Sequence, residues 1–133
     1  MYKRFGAAVV VAFLFLGCSL SEGNGGNCAV VIGVPTTAVT GPTETQVDTQ
    51  IVLEVSYTAK ANCGGFVSFF QPPGETPFVD VITVNTEYDA CSCDQVESVQ
   101  KVNYPFKKST AGTYLLKFKK SNDTFVEHTV VVE

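Results

Sequence analysis

Five cysteines are the residues of this 133-residue chain best placed to do chemistry. Cys18 closes an apolar N-terminal run, and Cys28, Cys63, Cys91 and Cys93 follow it. A thiol can be acylated, joined to another thiol, bound to a metal or used as a nucleophile. Tetrathiolate zinc favours pairs of cysteines separated by about two to four residues. Here Cys91 and Cys93 are separated by one residue, and Cys28 and Cys63 each stand alone. A Cys-x-Cys exchange site needs a thiol pKa lowered by a helix N-terminus or a basic cluster, and neither adjoins this one. Disulfide chemistry is therefore expected of the last four, with no metal and no cofactor. Four cysteines allow three pairings, and their spacing does not choose among them.

The remaining candidates are weaker. His128 is the only histidine, and no nucleophile or orienting acid lies on its strand face, with Glu127 pointing the other way. It reads as a half-exposed strand residue. No calcium-loop pattern of alternating carboxylates occurs. Glu87, Asp89 and Asp94 fall in a polar stretch, read here as a solvated acidic loop over 87–94 that is the best place for a weakly held ion. Lys107, Lys108, Lys117, Lys119 and Lys120 are the one basic concentration, and lysines on an edge strand discourage sheet-to-sheet association. No catalytic residue is identified, and the chain is expected not to be an enzyme.

The N-terminus indicates where these groups work. Lys3 and Arg4 precede an uncharged apolar run from Phe5 to Gly17. That run is short for a bilayer span, which takes about 20 apolar residues, and it has the pattern of a cleaved signal peptide. Its last residues, Phe15-Leu16-Gly17-Cys18, resemble the lipobox of bacterial lipoproteins, with Phe15 where that family usually carries Leu. The resemblance implies a signal peptide over 1–17, a lipid on Cys18 and a membrane as one partner. Residues 18–27 are small and polar, as in a flexible tether. Residue 19 is Ser rather than the Asp of the inner-membrane retention signal, so the outer membrane is expected, on its periplasmic or surface face. Export to an oxidising compartment reinforces the disulfide reading. Without Lys3 and Arg4, seven basic residues face thirteen acidic ones, a net charge of −6. Such a balance lacks the basic footprint that nucleic acid requires.

Strands must position these groups. Ile51, Leu53, Val55, Tyr57 and Ala59 alternate with Val52, Glu54, Ser56 and Thr58, the period of a half-buried strand. Tyr114, Leu116 and Phe118 alternate likewise with Leu115, Lys117 and Lys119. Further strands are expected over 29–34, 66–70, 78–84 and 124–132. Val96, Val102, Tyr104 and Phe106 fit another, with a bulge near Ser98. Residues 36–46, rich in Thr, Gly and Pro, read as a loop, as do the Pro-rich residues 71–77 and the polar stretch 85–94. About seven strands and no helix give an all-β class, a single β-sandwich over 28–133. If neighbouring strands run antiparallel, all four later cysteines gather at the end nearest the tether. Bridges would then join Cys28 and Cys63 to Cys91 and Cys93 in some order.

One motif sharpens the class. Gly112-Thr113-Tyr114 after the polar turn 107–111 resembles the corner of immunoglobulin-like domains, where a Tyr packs between the sheets. The core Cys of antibody domains is replaced by Leu116, and the chain has no Trp. Taken whole, residues 28–133 are similar in style to small lipoproteins with immunoglobulin-like sandwiches of the Bacteroidetes type. That resemblance implies a fold and a compartment, not an activity.

The function expected is a non-enzymatic, lipid-anchored envelope module that binds a protein or a glycan. The loops at 36–46, 71–77 and 107–112, at the end away from the lipid, are the expected contact surface. Alternatives are a structural accessory subunit of an envelope assembly and a small metal-binding or hydrolytic envelope protein. Cys18→Ala should abolish labelling of the chain by a radioactive fatty acid. Labelling that survives the substitution would rule out the anchor.

Overall fold

The structure is a computed structural model that describes residues 28–60, 64–89, 91 and 96–133. Among these there is no helix, and nine strands form two sheets. They are β1 (Ala29–Val34), β2 (Thr36–Thr40), β3 (Glu44–Thr45), β4 (Ile51–Lys60), β5 (Gly64–Phe70), β6 (Val79–Asp89), β7 (Glu97–Phe106), β8 (Gly112–Lys119) and β9 (Phe125–Val132). The smaller sheet has the order β2-β4-β7. The larger runs β1-β6-β8-β9-β3, with β5 also paired to β6.

The seven expected strands are present, and two more come from the segment read as a loop over 36–46. The Thr and Val there are β-branched and suit extended backbone. Val34 still pairs with Val84 in the larger sheet, whereas Thr36 already pairs with Tyr57 in the smaller one. The chain changes sheets at Pro35, which has no N–H to leave unpaired, and the Pro35 carbonyl accepts from the Thr58 N–H at 3.0 Å. Thr36 is fully buried at this crossing, and its hydroxyl has no hydrogen-bond partner among the described residues. The polar stretch also needs correction. Residues 85–89 continue β6, because two strands claim their backbone: β1 pairs Ala29–Val34 against 84–89, and β5 pairs against 83–88. Glu87 and Asp89 are therefore strand residues and not loop ligands.

β7 has no bulge. It pairs with β4 in unbroken antiparallel register from Ile51↔Phe106 to Lys60↔Glu97. The even-numbered residues all face inward, but near Ser98 and Gln100 that face is polar, which hid the alternation. The irregularities lie elsewhere, in β2 between Thr36 and Ala38 and in β5 between Phe66 and Ser68. The lysines of β8 also lie differently from expectation. β8 is flanked by both β6 and β9, so Lys117 and Lys119 sit on the outer face of an interior strand and do not guard an edge. Lys117 instead lies over the Phe125 ring at 4.6 Å and 3.8 Å from Glu127.

The two sheets enclose one core. β4 contributes Leu53, Val55, Tyr57 and Ala59, and β7 contributes Tyr104 and Phe106. Facing them are Val34, Ile82, Val84, Tyr114, Leu116, Phe118, Val130 and Val132. Aromatic contacts cross the interior in place of a tryptophan. Phe69 meets Tyr104 edge-on at 5.0 Å, Tyr104 meets Phe118 at 5.3 Å, and Phe106 meets Tyr114 at 5.6 Å. Immunoglobulin-type sandwiches have antiparallel sheets. Here β6 with β8, and β3 with β9, pair parallel.

Leu116 is completely buried at the centre of this core. Leu116→Ala removes apolar contact and leaves a cavity, and should cost about 2–5 kcal/mol of stability in urea unfolding. A loss under about 1 kcal/mol would show that the two sheets are not packed as described.

Candidate functional site

The two ends of the sandwich have different chemistry. At one end Cys28 precedes β1 and Cys91 follows β6, and the two form a disulfide with a Cα–Cα distance of 5.5 Å. The register of β1 against β6 brings them there, since Ala29 lies opposite Asp89. The Asp89 carboxylate accepts the Cys91 N–H at 2.9 Å. Cys28, Asp89 and Cys91 present ligand-type atoms within 4.8 Å of one another. The two sulfurs are bonded to each other, however, and offer no thiolates. Lys60, at the end of β4, lies over the Tyr88 ring at 5.1 Å, which places the ends of β4 and β6 together. Cys18, Cys63, Cys93 and Asp94 lie outside the described residues.

The opposite end gathers the connection after β3, the Pro-rich segment and the turn before β8. Hydrogen bonds join the first of these to the last. Asp48 donates its N–H to the Lys108 carbonyl at 2.8 Å, and its carboxylate accepts from the Ser109 hydroxyl at 2.7 Å. Asp48 holds a left-handed φ of 59°, which a short polar side chain tolerates. The Val47 N–H reaches the Glu133 carbonyl at 2.9 Å. The Tyr114 hydroxyl donates to the Thr110 carbonyl at 2.8 Å, four residues upstream, which is tyrosine-corner geometry. Gly112 has a separate reason to be Gly. A Cβ there would lie 2.5 Å from the Phe78 ring, which also meets Tyr114 edge-on at 5.0 Å. Phe78 carries a φ of 65°, strained for a bulky residue, and its carbonyl accepts the Leu115 N–H at 2.8 Å. The strain is held by packing on one side and the first rung of the parallel ladder on the other.

Between the sheets at this end lies a polar group that sequence reasoning passed over. Asp80 shares the inward parity of Ile82 and Val84, so its carboxylate enters the interior with only 15% of the side chain exposed. Lys108 reaches in from the turn to 2.8 Å from Oδ2, an ion pair without the alignment of a good hydrogen bond. Its ammonium also lies 5.2 Å from the centre of the Tyr114 ring. Tyr104 donates its hydroxyl to Gln71 Oε1 at 2.8 Å. Burial, with the Asp80 charge adding to it, pushes the Tyr104 phenol up to about 12. Burial also raises Tyr57, whose hydroxyl donates to Gln100 Oε1 at 3.1 Å. These phenols are fixed hydrogen-bond donors. The signal for Asp80 was present in the sequence, because the alternation that buries Ile82 and Val84 carries back two residues to a carboxylate.

His128 also has a structural partner. Its Nε2 lies 3.0 Å from the Pro42 carbonyl, to which it donates, and this ties the connection after β2 to β9. Among the described residues no nucleophile is joined to it. On the outer face, the Pro-rich segment arches over β6 and leaves a groove of about 390 Å³. Val79 and Val81 form its floor, Pro72 and Pro73 its walls, and Glu75 its single charge.

The raised phenols set an alkaline limit on stability. The folded chain holds the Tyr104 proton more tightly than the unfolded chain, whose tyrosines ionise near the ordinary value of 10.0. This group leaves stability independent of pH below about 10, and stability then falls as pH rises towards 12. Denaturant melts should show that decline, with a shallower slope in Tyr104→Phe. An unchanged slope would mean that Tyr104 is not buried against Asp80.

No protein-family model, curated protein or solved structure matches this chain.

Proposed function

We propose that the chain is a lipid-anchored, non-enzymatic binding module of the bacterial envelope, which holds its membrane-near end with disulfide chemistry and meets a partner with the other. The observation that carries this reading is the asymmetry of the two ends. The Cys28–Cys91 bridge lies where the chain leaves its expected tether, ten residues after Cys18. The other end combines two hydrogen-bonded segments, an exposed and strained Phe78 packed on Gly112 and Tyr114, and a groove. Loops held rigidly at one end of a sandwich suit recognition, because little conformational freedom remains to be lost on binding. The engagement of His128 by Pro42, and of the Cys28 and Cys91 sulfurs by each other, favours binding over hydrolysis or metal handling. The tyrosine-corner bond of Tyr114 supports an immunoglobulin-like ancestry for the sandwich, and the parallel β6–β8 pairing speaks for an altered branch of it.

One observation favours the accessory-subunit alternative. Phe66, Val67 and Phe70 are exposed on β5, which pairs only with β6 among the described residues and carries no charge. Such an edge suits packing against a larger assembly, although the irregularity at Val67 blunts it for strand addition.

Photo-crosslinking in intact cells separates the two. A crosslinking amino acid at Lys107, beside the far loops, should capture a discrete partner, and one at Phe70 should capture little. Capture from Phe70 alone would replace the binding module with the accessory subunit. Capture from neither site would end both readings.

A further inference from the structure

We propose that the groove beneath the Pro-rich segment receives a lysine or arginine side chain from an extended stretch of a partner protein. This deepens the binding-module reading and rests on it, selecting a protein over a glycan.

Four observations lead there. The groove is preformed. Gly74 lies so close to the Val79 carbonyl that a Cβ would sit 2.9 Å from that oxygen, and the Val79 N–H returns to the Thr76 carbonyl. Phe78, seated on Gly112 and Tyr114, fixes the segment's return into β6. A cavity that needs no ordering loses less on binding.

Its chemistry is that of an aliphatic stem with a cationic head. Val79, Val81, Pro72 and Pro73 offer apolar surface and few hydrogen-bond groups, a poor match for a sugar's many hydroxyls. Lysine and arginine lay their methylenes on such surface and keep the charge at the rim.

At the rim, Glu75 is exposed and makes no ion pair among the described residues. Two lysines of the neighbouring turn and strand are already engaged. Lys108 turns inward to Asp80, and Lys117, opposite Val81 in the ladder, leans to Glu127 and Phe125. Glu75 is thus left to an incoming charge.

The whole chain agrees in sign. Thirteen acidic residues against nine basic ones attract a basic segment from a distance.

The test uses the full chain purified in detergent and labelled with a fluorophore. The probes are arrayed heptapeptides of alternating Ala and Pro that differ only at the central position: Lys, Arg, norleucine or Glu. Lys and Arg should be retained about five-fold over norleucine, the scale of one exposed ion pair, and Glu should fall below it. Glu75→Gln should remove the preference while leaving the thermal melt unchanged. Glu87→Gln removes the same charge from the outer face of β6 near the disulfide, and should keep the preference. Equal retention of all four peptides, or a preference that survives Glu75→Gln, would overturn the proposal. So would an equal loss in Glu87→Gln, which would reduce the effect to general attraction. If the array fails while Lys107 crosslinks persist, the groove assignment falls and the binding module stands.

Discussion

The fold depends on the backbone of β6. Its first four residues pair with β8, and the rest are claimed from both sides by β1 and β5. A strand hydrogen-bonded along both edges leaves few unsatisfied groups and loses several ladders at once if displaced. β8 and β1 take successive lengths of β6, so the larger sheet carries the packed core at one end and a three-stranded extension towards the disulfide at the other. Cys28 and Cys91 close that extension covalently. Without β6, neither the parallel seam to β8 nor the junction of β1 with the rest of the sheet has a template.

A consequence is that the two sheets communicate through a few defined points. Pro35 carries the chain from one to the other, with Thr36 buried at the crossing. At the far end, Asp80 and Lys108 span the opening between the layers. A half-buried ion pair contributes little net stability once desolvation is counted, but removing one partner leaves a charge stranded among Tyr104, Tyr114 and Phe106. The pair therefore sets where the turn between β7 and β8 can lie. That turn in turn carries Ser109, the partner of Asp48, and Thr110, the partner of Tyr114. The shape of the far end follows from a carboxylate on an inward position of β6.

Rigidity at the far end and chemistry at its outer surface have one origin. Phe78 adopts a left-handed conformation because its ring must cover Gly112 and its carbonyl must begin the β8 ladder. The same geometry brings residues 72–76 back over Val79 and Val81, which makes the groove. Recognition at this end would draw on structure already required by the core.

Period-two alternation in 51–59 and 114–118 was enough for the inward faces of β4 and β8, because a strand with one buried face must alternate. The Gly-x-Tyr motif located the corner, and even cysteine parity after Cys18 pointed to disulfides. Tertiary structure decided what alternation cannot encode. It paired Cys28 with Cys91, since a pairing depends on which strands meet and not on spacing. It made strands of 36–40 and 85–89, because neighbouring backbones with unmatched hydrogen bonds extended them. It turned Asp80 inward and gave it Lys108, and it set Lys117 on an interior strand. Local pattern reports the period of a strand; which residues become neighbours depends on long-range ladders that no short window contains.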